Sequence, residues 1–334
     1  MRLGTGRPPT DLSVYGPWAK TAEDCGFEMI MAGDSGLLWA DPFVTLTVAA
    51  HHTTSARLLV QVSNPLTRHV AASAAAAMAV QQASGGRFIH GLASGDSALR
   101  TIGRQPATVG EIRDYVTAIQ RLSGGEPVWW DGHKLAMRWE ASRVPVFVAA
   151  EGPKTQQMAG EVADGVILSN SLPAEVTEVA LSNIKAGADK AGRRLDDIEI
   201  WWAANLVFAP TEREGWESIK FLLAGTANHV YRFHLEGKAL PEEVKPRIEA
   251  MKREYDSRHH GQPVGNVNAA LVDKYGLAEF LASRGTIAGP PEACAERLQE
   301  LAERGVSNLL LAQFMPDKDG WMHTVADQML PSLA

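Results

Sequence analysis

Short apolar runs alternate with helix-forming stretches along most of this 334-residue chain, and this alternation constrains the fold more than any other feature. Apolar runs that predict strands lie at residues 2–4, 28–32, 57–62, 87–92, 144–149, 165–168, 198–208 and 308–312. About eight strand–helix units favour a TIM-like (β/α)8 barrel, and a doubly wound open sheet is the alternative.

Residues 211–286 interrupt this alternation with helical stretches and a charged, histidine-containing segment at 253–263. A long segment of this kind inside a compact domain commonly serves as an active-site cover or a subunit contact. We therefore predict one domain over 1–334, with 211–286 as a helical insertion before the last βα unit. The insertion is expected to act as a lid or a dimer contact.

A small polar loop, Ser94-Gly95-Asp96, directly follows the strand predicted at 87–92. Glycine lets backbone N–H groups come close to an anion, and N–H groups at a helix start favour phosphate. A plain turn is the alternative for this sequence. In a barrel the loop would lie at the C-terminal mouth, where such enzymes hold their ligands.

A second loop, Ala150-Glu151-Gly152-Pro153-Lys154, follows the next predicted strand. Gly152 supplies the turn, Pro153 suits a first helical turn, and Lys154 adds positive charge near the expected anion. An ordinary helix start is the alternative. Together the two loops predict an enzyme that holds a phosphorylated cofactor.

Polar residues also follow the second and third predicted strands. For Asp34 and Ser35 we predict a contact to a cofactor ring or a substrate, with a helix cap or a turn as the alternative. Asn64 precedes a proline, which restricts its backbone to extended conformations and can aim its amide into the mouth. His69 is either catalytic or a surface histidine at a helix start.

Composition and spacing argue against several kinds of partner. The net charge is −7 without a basic block, so we expect no nucleic acid and no anionic membrane surface. No apolar run reaches the ~20 residues that span a bilayer, and the N-terminus lacks a signal-peptide pattern. Histidine and cysteine spacing predicts no metal site, and two distant cysteines, Cys25 and Cys294, fit a reducing cytoplasm.

An ordered set of short motifs carries a family resemblance. The motifs are AEDCGFE at 22–28, VSNPLTRH at 62–69, SGGRF at 84–88, GLASGDS at 91–97, EGPK at 151–154 and AGEVADG at 159–165, and the match resumes near 289–311. With them the chain resembles the bacterial-luciferase-like flavin and deazaflavin oxidoreductases, nearest the methylenetetrahydromethanopterin reductase-like branch. The resemblance implies a TIM-like barrel, usually dimeric, that binds FMN or the deazaflavin coenzyme F-420 at its C-terminal mouth.

The resemblance also implies particular cofactor contacts. The loop at 94–96 would contact the cofactor tail and phosphate, and residues 150–152 and Ser169 match the loops after the fifth and sixth strands. Asn64 matches a position near the ring. A non-prolyl cis peptide, at the Gln61-Val62 bond, would lie behind the ring.

One position departs from the family pattern. Many relatives carry Asp-His at the end of the second strand, where the histidine is often assigned to proton transfer, and here the pair is Asp34-Ser35. A serine does not titrate near neutral pH and cannot take that role. The remaining options are Glu151 or His69 as the proton-transfer group, or a reaction that needs none.

The leading functional hypothesis is hydride transfer with F-420 to or from a small organic substrate. The alternatives are an FMN-dependent monooxygenase that inserts oxygen into an organic substrate, and a non-catalytic barrel. The resemblance implies a substrate pocket built from variable loops, for which Leu37-Leu38-Trp39, Trp129-Trp130 and the 211–286 insertion are apolar or aromatic candidates. They suggest a substrate with an apolar or planar part. Core or dimer contacts are the alternative for these tryptophans.

Overall fold

A computed structural model of the chain describes residues 1–259 and 265–333. The β-strands in chain order are β1 (Arg2–Gly6), β2 (Met29–Ala32), β3 (Arg57–Val60), β4 (Phe88–Leu92), β5 (Val128–Trp130), β6 (His133–Leu135), β7 (Val146–Ala149), β8 (Gly165–Ser169), β9 (Glu199–Phe208), β10 (Thr286–Gly289) and β11 (Asn308–Ala312). The α-helices are α1 (Leu12–Asp24), α2 (Pro42–His52), α3 (Val70–Ala83), α4 (Ser97–Arg100), α5 (Val109–Ser123), α6 (Pro153–Val162), α7 (Ala174–Lys190), α8 (Glu212–Ser218), α9 (Lys220–Tyr231), α10 (Lys245–Glu254), α11 (Val267–Lys274), α12 (Ala278–Gly285), α13 (Pro291–Glu303), α14 (Lys318–Gln328) and α15 (Leu330–Leu333). Among the described residues, no helix combines the length and the apolar character needed to cross a membrane.

Eight parallel strands close into a barrel in the order β1-β2-β3-β4-β7-β8-β9-β11, and β11 pairs with β1 to complete the ring. In the closing pair, Arg2 lies opposite Asn308 and Gly6 lies opposite Ala312. Helices that follow the strands pack on the outside of the ring. This architecture confirms the predicted TIM-like (β/α)8 barrel over the open sheet.

Successive side chains of a barrel strand face opposite layers. In β2, Met29 and Met31 join the apolar cluster inside the barrel, whereas Ile30 and Ala32 pack in the layer beneath the surrounding helices. The inner cluster also contains Leu59, Ile89, Phe147, Ile167, Trp201 and Leu310. Because both faces of a parallel sheet are covered in this way, its strands are continuous apolar runs in the sequence.

One carboxylate shared between two arginines closes the bottom of the barrel. Glu199, at the start of β9, accepts from Arg57 Nη1 at 2.6 Å, from Arg2 Nη2 at 2.9 Å and from Trp201 Nε1 at 2.8 Å. Burial alone would raise the pKa of Glu199, but the hydrogen bond and the charge of Arg57 hold this pKa below its ordinary value. The cluster therefore ties the first residues of β1, β3 and β9 together.

The predicted insertion forms a helical unit between β9 and β11. It contains α8 to α12, and its helices share an apolar cluster of their own, which includes Leu223, Tyr231, Ile248 and Leu277. Residues 260–264 of the predicted segment lie outside the described residues. The sequence analysis missed β10, which pairs in parallel with the second half of β9. A role for the insertion as a lid or a dimer contact stays a prediction.

An antiparallel hairpin of β5 and β6 lies between α5 and β7. Asp131 and Gly132 form its turn, with positive φ angles of 49° and 77°. Trp130 packs against Tyr115 of α5 with ring centroids 5.9 Å apart, while Trp129 is 73% exposed. Trp130 is thus a packing contact, and Trp129 faces solvent.

Glu199→Gln should lower the free energy of unfolding by about 1–3 kcal/mol, because two arginines lose their shared charged acceptor. Chemical denaturation measures this change. The pKa of Glu199 in the folded state lies below its ordinary value of 4.5. The stability that Glu199 contributes is therefore fully present above pH 4.5 and is lost as the pH falls through the folded-state pKa. On acidification, the wild type should therefore lose more stability than the variant.

Asp196→Asn is the matched control for this substitution. It breaks the Arg194–Asp196 pair, whose side chains are 76% and 78% exposed, and the stability should not change measurably. Equal denaturation curves for Glu199→Gln and the wild type would contradict a structural role for the cluster.

Candidate active site

Loops after β2, β3 and β4 contact one another at the C-terminal mouth of the barrel. Ser63 Oγ donates to Asp34 Oδ2 at 2.6 Å, which joins the β3 loop to the β2 loop. The hydroxyl oxygens of Ser35 and Ser97 lie 2.5 Å apart and join the β2 loop to the β4 loop. The carboxyl ends of parallel barrel strands meet at one rim, which explains why these loops converge.

Strand β3 continues into an irregular segment behind these loops. The peptide bond between Gln61 and Val62 is cis, as the family resemblance predicts. After this bond, Ser63 resumes parallel pairing with β4: its N donates to Gly91 O and its O accepts from Ala93 N, both at 2.9 Å. The chain therefore stays paired with β4 up to the loop that carries Asn64.

Asp34 is a buried carboxyl group with few charged neighbours. Burial raises the pKa of Asp34, and the hydrogen bond from Ser63 and the charge of Arg68 oppose this shift only in part. Arg68 Nε lies 3.9 Å from Asp34 Oδ2, but Arg68 Nη2 donates to Asp41, the N-cap residue of α2. Asp34 can therefore keep its proton at a higher pH than an exposed aspartate does.

Asn64 and Gly95 form a close contact between the β3 and β4 loops. Asn64 is 1% exposed; its Oδ1 accepts from Leu66 N and Thr67 N at 3.0 Å each, and its Nδ2 has no hydrogen-bond partner. Gly95 has a φ of +87°, and a Cβ there would overlap Leu99 Cδ1 and lie 3.2 Å from Asn64 Cβ. Glycine at this position therefore lets the two loops approach each other.

Asp96 is surrounded by basic side chains from the barrel and from the insertion. Arg232 Nη1 and Arg100 Nε each lie 2.7 Å from Asp96 Oδ1, and His229 Nδ1 lies 3.2 Å from Oδ2. Arg232 Nη2 also donates to Ser94 Oγ at 2.8 Å and to Gly95 O at 2.9 Å. Burial alone would raise the pKa of Asp96, but His229, Arg232 and Arg100 hold this pKa well below its ordinary value.

The sequence analysis missed His229 and Arg232, which belong to helix α9 of the insertion and its C-cap. Phe221, at the other end of α9, packs against Phe314 beyond β11 with ring centroids 6.5 Å apart. Positions 221, 225, 229 and 232 share one face of a helix, so α9 crosses the mouth from the β11 end to the β4 loop. The sequence signal for His229 and Arg232 is that they are polar residues at the end of a largely apolar helix.

Glu151 and Lys238 line one small cavity between the barrel and the insertion. Burial raises the pKa of Glu151. The charge of His229, hydrogen bonding from Ser169 and the charge of Lys238 oppose this shift. Burial lowers the pKa of Lys238 to about 8, although Glu151 opposes that shift. Both groups are thus shifted toward neutral pH. The cavity has a volume of about 20 Å³, and its polar lining consists of Glu151, Gln156, Ser169, Asn170, Ser171, Lys238 and Arg284.

The other predicted residues of the β7 loop lie beside this cavity. Ala150 is buried, and its carbonyl oxygen accepts from Gln156 Nε2 at 3.4 Å. Gly152 is the N-cap of α6 and Pro153 is its first residue, in agreement with the predicted helix start. Lys154 is exposed, so its charge is not enclosed with that of Glu151.

His69 is exposed at the start of α3, where it is the N-cap residue. Its Nδ1 accepts from Ala71 N at 3.2 Å, so this ring nitrogen caps the helix. On the β2 loop, Leu37 and Leu38 are 70% and 41% exposed, and Trp39 lies against Gly33. Of the two candidates for proton transfer, the structure places Glu151 in the cavity and His69 at a helix cap.

Several buried polar atoms around the mouth have no hydrogen-bond partner, and most of them are donors. They are Asn64 Nδ2, Asn170 Nδ2, Asn228 Nδ2, Arg232 Nε, Arg284 Nε and the acceptor Gln61 Oε1. Such atoms are uncommon in folded proteins unless water or a ligand satisfies them. The arrangement suits a ligand rich in acceptor oxygens. In the described parts of the chain, no group of three possible metal ligands occurs.

Comparison with known proteins identifies similar sequences over nearly the whole chain. The family described as luciferase-like monooxygenase matches residues 3–308. A protein named 5,10-methylenetetrahydromethanopterin reductase, from Methanolobus tindarius, is 30% identical over 326 residues, which cover 93% of this chain and 93% of the relative.

Two solved structures are also similar over their full length. The coenzyme F-420 dependent tetrahydromethanopterin reductase from Methanopyrus kandleri has a TM-score of 0.78 at 24% identity, covering 100% of this chain and 99% of its own. An F-420-dependent secondary alcohol dehydrogenase, in complex with an F-420–acetone adduct, has a TM-score of 0.76 at 15% identity and the same coverage. Both likenesses show the fold.

Gly95→Ala should disturb the mouth more than Gly103→Ala does. Both glycines have positive φ angles, +87° and +70°, but a Cβ at position 103 has no neighbour within 4 Å, whereas one at position 95 overlaps Leu99. Each variant should lose about 1–2 kcal/mol of stability through its left-handed backbone, and Gly95→Ala should lose more. Equal thermal melting of the two variants would contradict the tight packing around Gly95.

Proposed function

Because the chain belongs to the luciferase-like monooxygenase family, we propose that it is an oxidoreductase that uses coenzyme F-420 for hydride transfer. The substrate in this proposal is a small organic molecule with an apolar or planar part. When bound, the deazaflavin would supply a ring able to take or give a hydride. The residues at the mouth would bind and orient the reactants and move protons.

The observation that carries the proposal is the excess of hydrogen-bond donors and positive charge at the mouth. Asn64 Nδ2, Asn170 Nδ2 and Arg232 Nε are buried without acceptors. Two arginines, a histidine and a lysine act on two carboxyl groups there, although the chain as a whole carries a net charge of −7. A phosphorylated cofactor with ring carbonyl groups offers acceptors to such donors, and its anionic tail is favoured by the local charge.

The names of similar proteins support the same cofactor. The two solved structures described above are of proteins named as F-420 dependent, and the relative from Methanolobus tindarius is named as a reductase. For this chain, these names favour F-420 over FMN and hydride transfer over oxygen insertion.

Within the proposal, the ring lies beside the β3 segment and the tail lies along the loops after β4, β7 and β8. Gln61, Val62 and Asn64 would hold the ring, since Gln61 Oε1 and Asn64 Nδ2 are unpaired polar atoms. Residues 94–96, residues 150–154 and Ser169 would hold the remainder. The exposed Leu37 and Leu38 of the β2 loop offer an apolar surface to the substrate.

Two acids at the mouth, the buried Asp34 and the half-buried Glu151, would take over proton transfer from the histidine that the second strand lacks. Asp34 and Glu151 both have pKa values raised by burial, and the pKa of Lys238 is lowered to about 8. Groups shifted in this way exchange protons more readily at physiological pH. Ser35, whose hydroxyl contacts Ser97, would orient the β2 loop in which Asp34 lies.

An FMN-dependent monooxygenase is the second candidate, and the description of the matching family favours it. In that case the same mouth would hold FMN, and the reaction would consume oxygen. The two candidates differ in cofactor and in oxygen use, so both differences can be measured directly.

We also propose that the enzyme is a cytoplasmic homodimer. Val14 on α1 and Val44 on α2 are apolar side chains, 41% and 51% exposed, on helices that pack together. Cys25 and Cys294 are buried and form no disulfide, which fits a reducing compartment. Light scattering of the purified protein measures the oligomeric state.

Fluorescence titrations of the purified protein with F-420 and with FMN test the cofactor. F-420 should bind more tightly, because its longer anionic tail uses more of the positive charge at the mouth. Tight binding of FMN alone would favour the monooxygenase. Binding of neither would contradict both candidates and would favour the non-catalytic barrel.

Glu151→Gln should remove an ionisation from the pH profile of kcat/KM measured with F-420. Burial raises the pKa of Glu151, so activity that needs its carboxylate should increase with pH through that raised value. The variant should lose this acid limb and about 10²–10⁴-fold in kcat.

Glu161→Gln is the control, because Glu161 lies on α6, the helix that follows the Glu151 loop, and pairs with Arg113 and Lys190. Its pH profile should match that of the wild type. An acid limb that persists in Glu151→Gln would assign the ionisation to another group.

A further inference from the structure

We propose that Arg232, together with His229 and Arg100, binds the phosphate of the cofactor, and that Asp96 positions these cations instead of contacting the phosphate. The inference rests on the proposed function, since it concerns the same mouth. It places the main anion contact on the insertion, whereas the sequence motif points to the β4 loop.

Hydrogen bonds fix the side chain of Arg232, and one of its N–H donors has no acceptor. Its side chain is 7% exposed, and its Nη atoms donate to Asp96 Oδ1, Ser94 Oγ and Gly95 O at 2.7, 2.8 and 2.9 Å. Its Nε is buried and has no acceptor. Asn228, one turn earlier on α9, also has a buried Nδ2 without a partner. An oriented guanidinium that lacks an acceptor suits a phosphate oxygen.

The β4 loop presents acceptors to this position. Ser94 Oγ and Gly95 O both accept from Arg232, and Asp96 adds a carboxylate. The helix that follows, α4, has 4 residues, and its N-cap Asp96 makes no side-chain capping bond. So short a helix has little dipole to offer an anion, and a carboxylate repels a phosphate. Without the cations of the insertion, the loop is poorly suited to bind phosphate.

The charges of the cluster do not balance. Arg100 and Arg232 each carry a permanent positive charge, while Asp96 is the carboxylate that both contact. Glu151 also acts on Arg232, but burial raises the pKa of Glu151 and so favours its neutral form. A phosphate would neutralise the excess positive charge. Because Asp96 already bonds to each cation, its contribution is to fix their positions.

Such a site would couple cofactor binding to the position of the insertion. Arg232 and His229 lie at one end of α9, and Phe221 at its other end contacts Phe314 of the barrel. A phosphate held between α9 and the β4 loop would therefore add a contact across the mouth.

Paired titrations of Arg232→Met test the assignment. The two probes are F-420 and the phosphate-free deazaflavin that carries the same ring on a ribityl chain. The variant should bind F-420 about 10–100-fold more weakly, with unchanged affinity for the phosphate-free probe. Added salt should weaken F-420 binding more steeply in the wild type than in the variant.

Two further variants distinguish the loss of the Arg232 charge and of its planar geometry from general destabilisation of the fold. Arg194→Met removes an arginine whose side chain is 76% exposed, next to the start of β9 at the other end of the barrel, and should leave both affinities unchanged. Arg232→Lys keeps the charge without the planar fork and should show a smaller loss for F-420. If Arg232→Met does not fold, His229→Gln on the same helix face replaces it. This variant should also bind F-420 more weakly and bind the phosphate-free probe with unchanged affinity.

Equal losses for both probes, or an unchanged affinity for F-420, would overturn the assignment. Inorganic phosphate distinguishes this result from a failure of the proposed function. If the wild type binds neither F-420 nor FMN, the proposed function fails. A phosphate-induced rise in melting temperature that Arg232→Met abolishes would then still support the anion site, and the absence of such a rise in the wild type would overturn it.

Discussion

Closure of the barrel by parallel pairing of β11 with β1 determines which residues can meet at the mouth. Every barrel strand then ends at the same rim, so loops that are distant in sequence become neighbours. The contacts between Asp34 and Ser63 and between Ser35 and Ser97 follow from this closure. At the opposite end, the shared carboxylate of Glu199 ties the starts of three strands, which leaves the mouth as the open end of the ring.

The barrel alone does not complete the candidate site. Helices of the insertion bury an apolar cluster of their own, and one face of α9 lies against the β4 loop. That face places Arg232 and His229 against Asp96, while Lys238, further along the insertion, lines the cavity with Glu151. The acidic groups therefore come from the barrel loops, and most of the basic side chains beside them come from the insertion.

Sequence reasoning found the features that depend on local chain geometry. Gly95 and Gly152 stand at a turn and at a helix start, and each can be located from its immediate neighbours. The cis bond at Gln61-Val62 came from the family resemblance. In contrast, the pairing of Arg232 with Asp96 joins residues 136 positions apart, and no local pattern at either residue specifies the other. Strand β10 was not predicted from the sequence because it follows α12 without an intervening turn.

His69 shows a different limit of the sequence, because a helix cap and a catalytic group can occupy the same position. Only the contact of its Nδ1 with Ala71 N indicates the capping role. The structure instead gathers groups with shifted pKa values around Glu151, and two of the neighbours that shift it, His229 and Lys238, belong to the insertion. Asp34 in the β2 loop and Glu151 beside the insertion are thus two separate acids with raised pKa values in a chain without the second-strand histidine. Under the proposed function, a movement of α9 would change the surroundings of Glu151 and the position of Arg232 together, so proton transfer and phosphate binding would depend on the same contact.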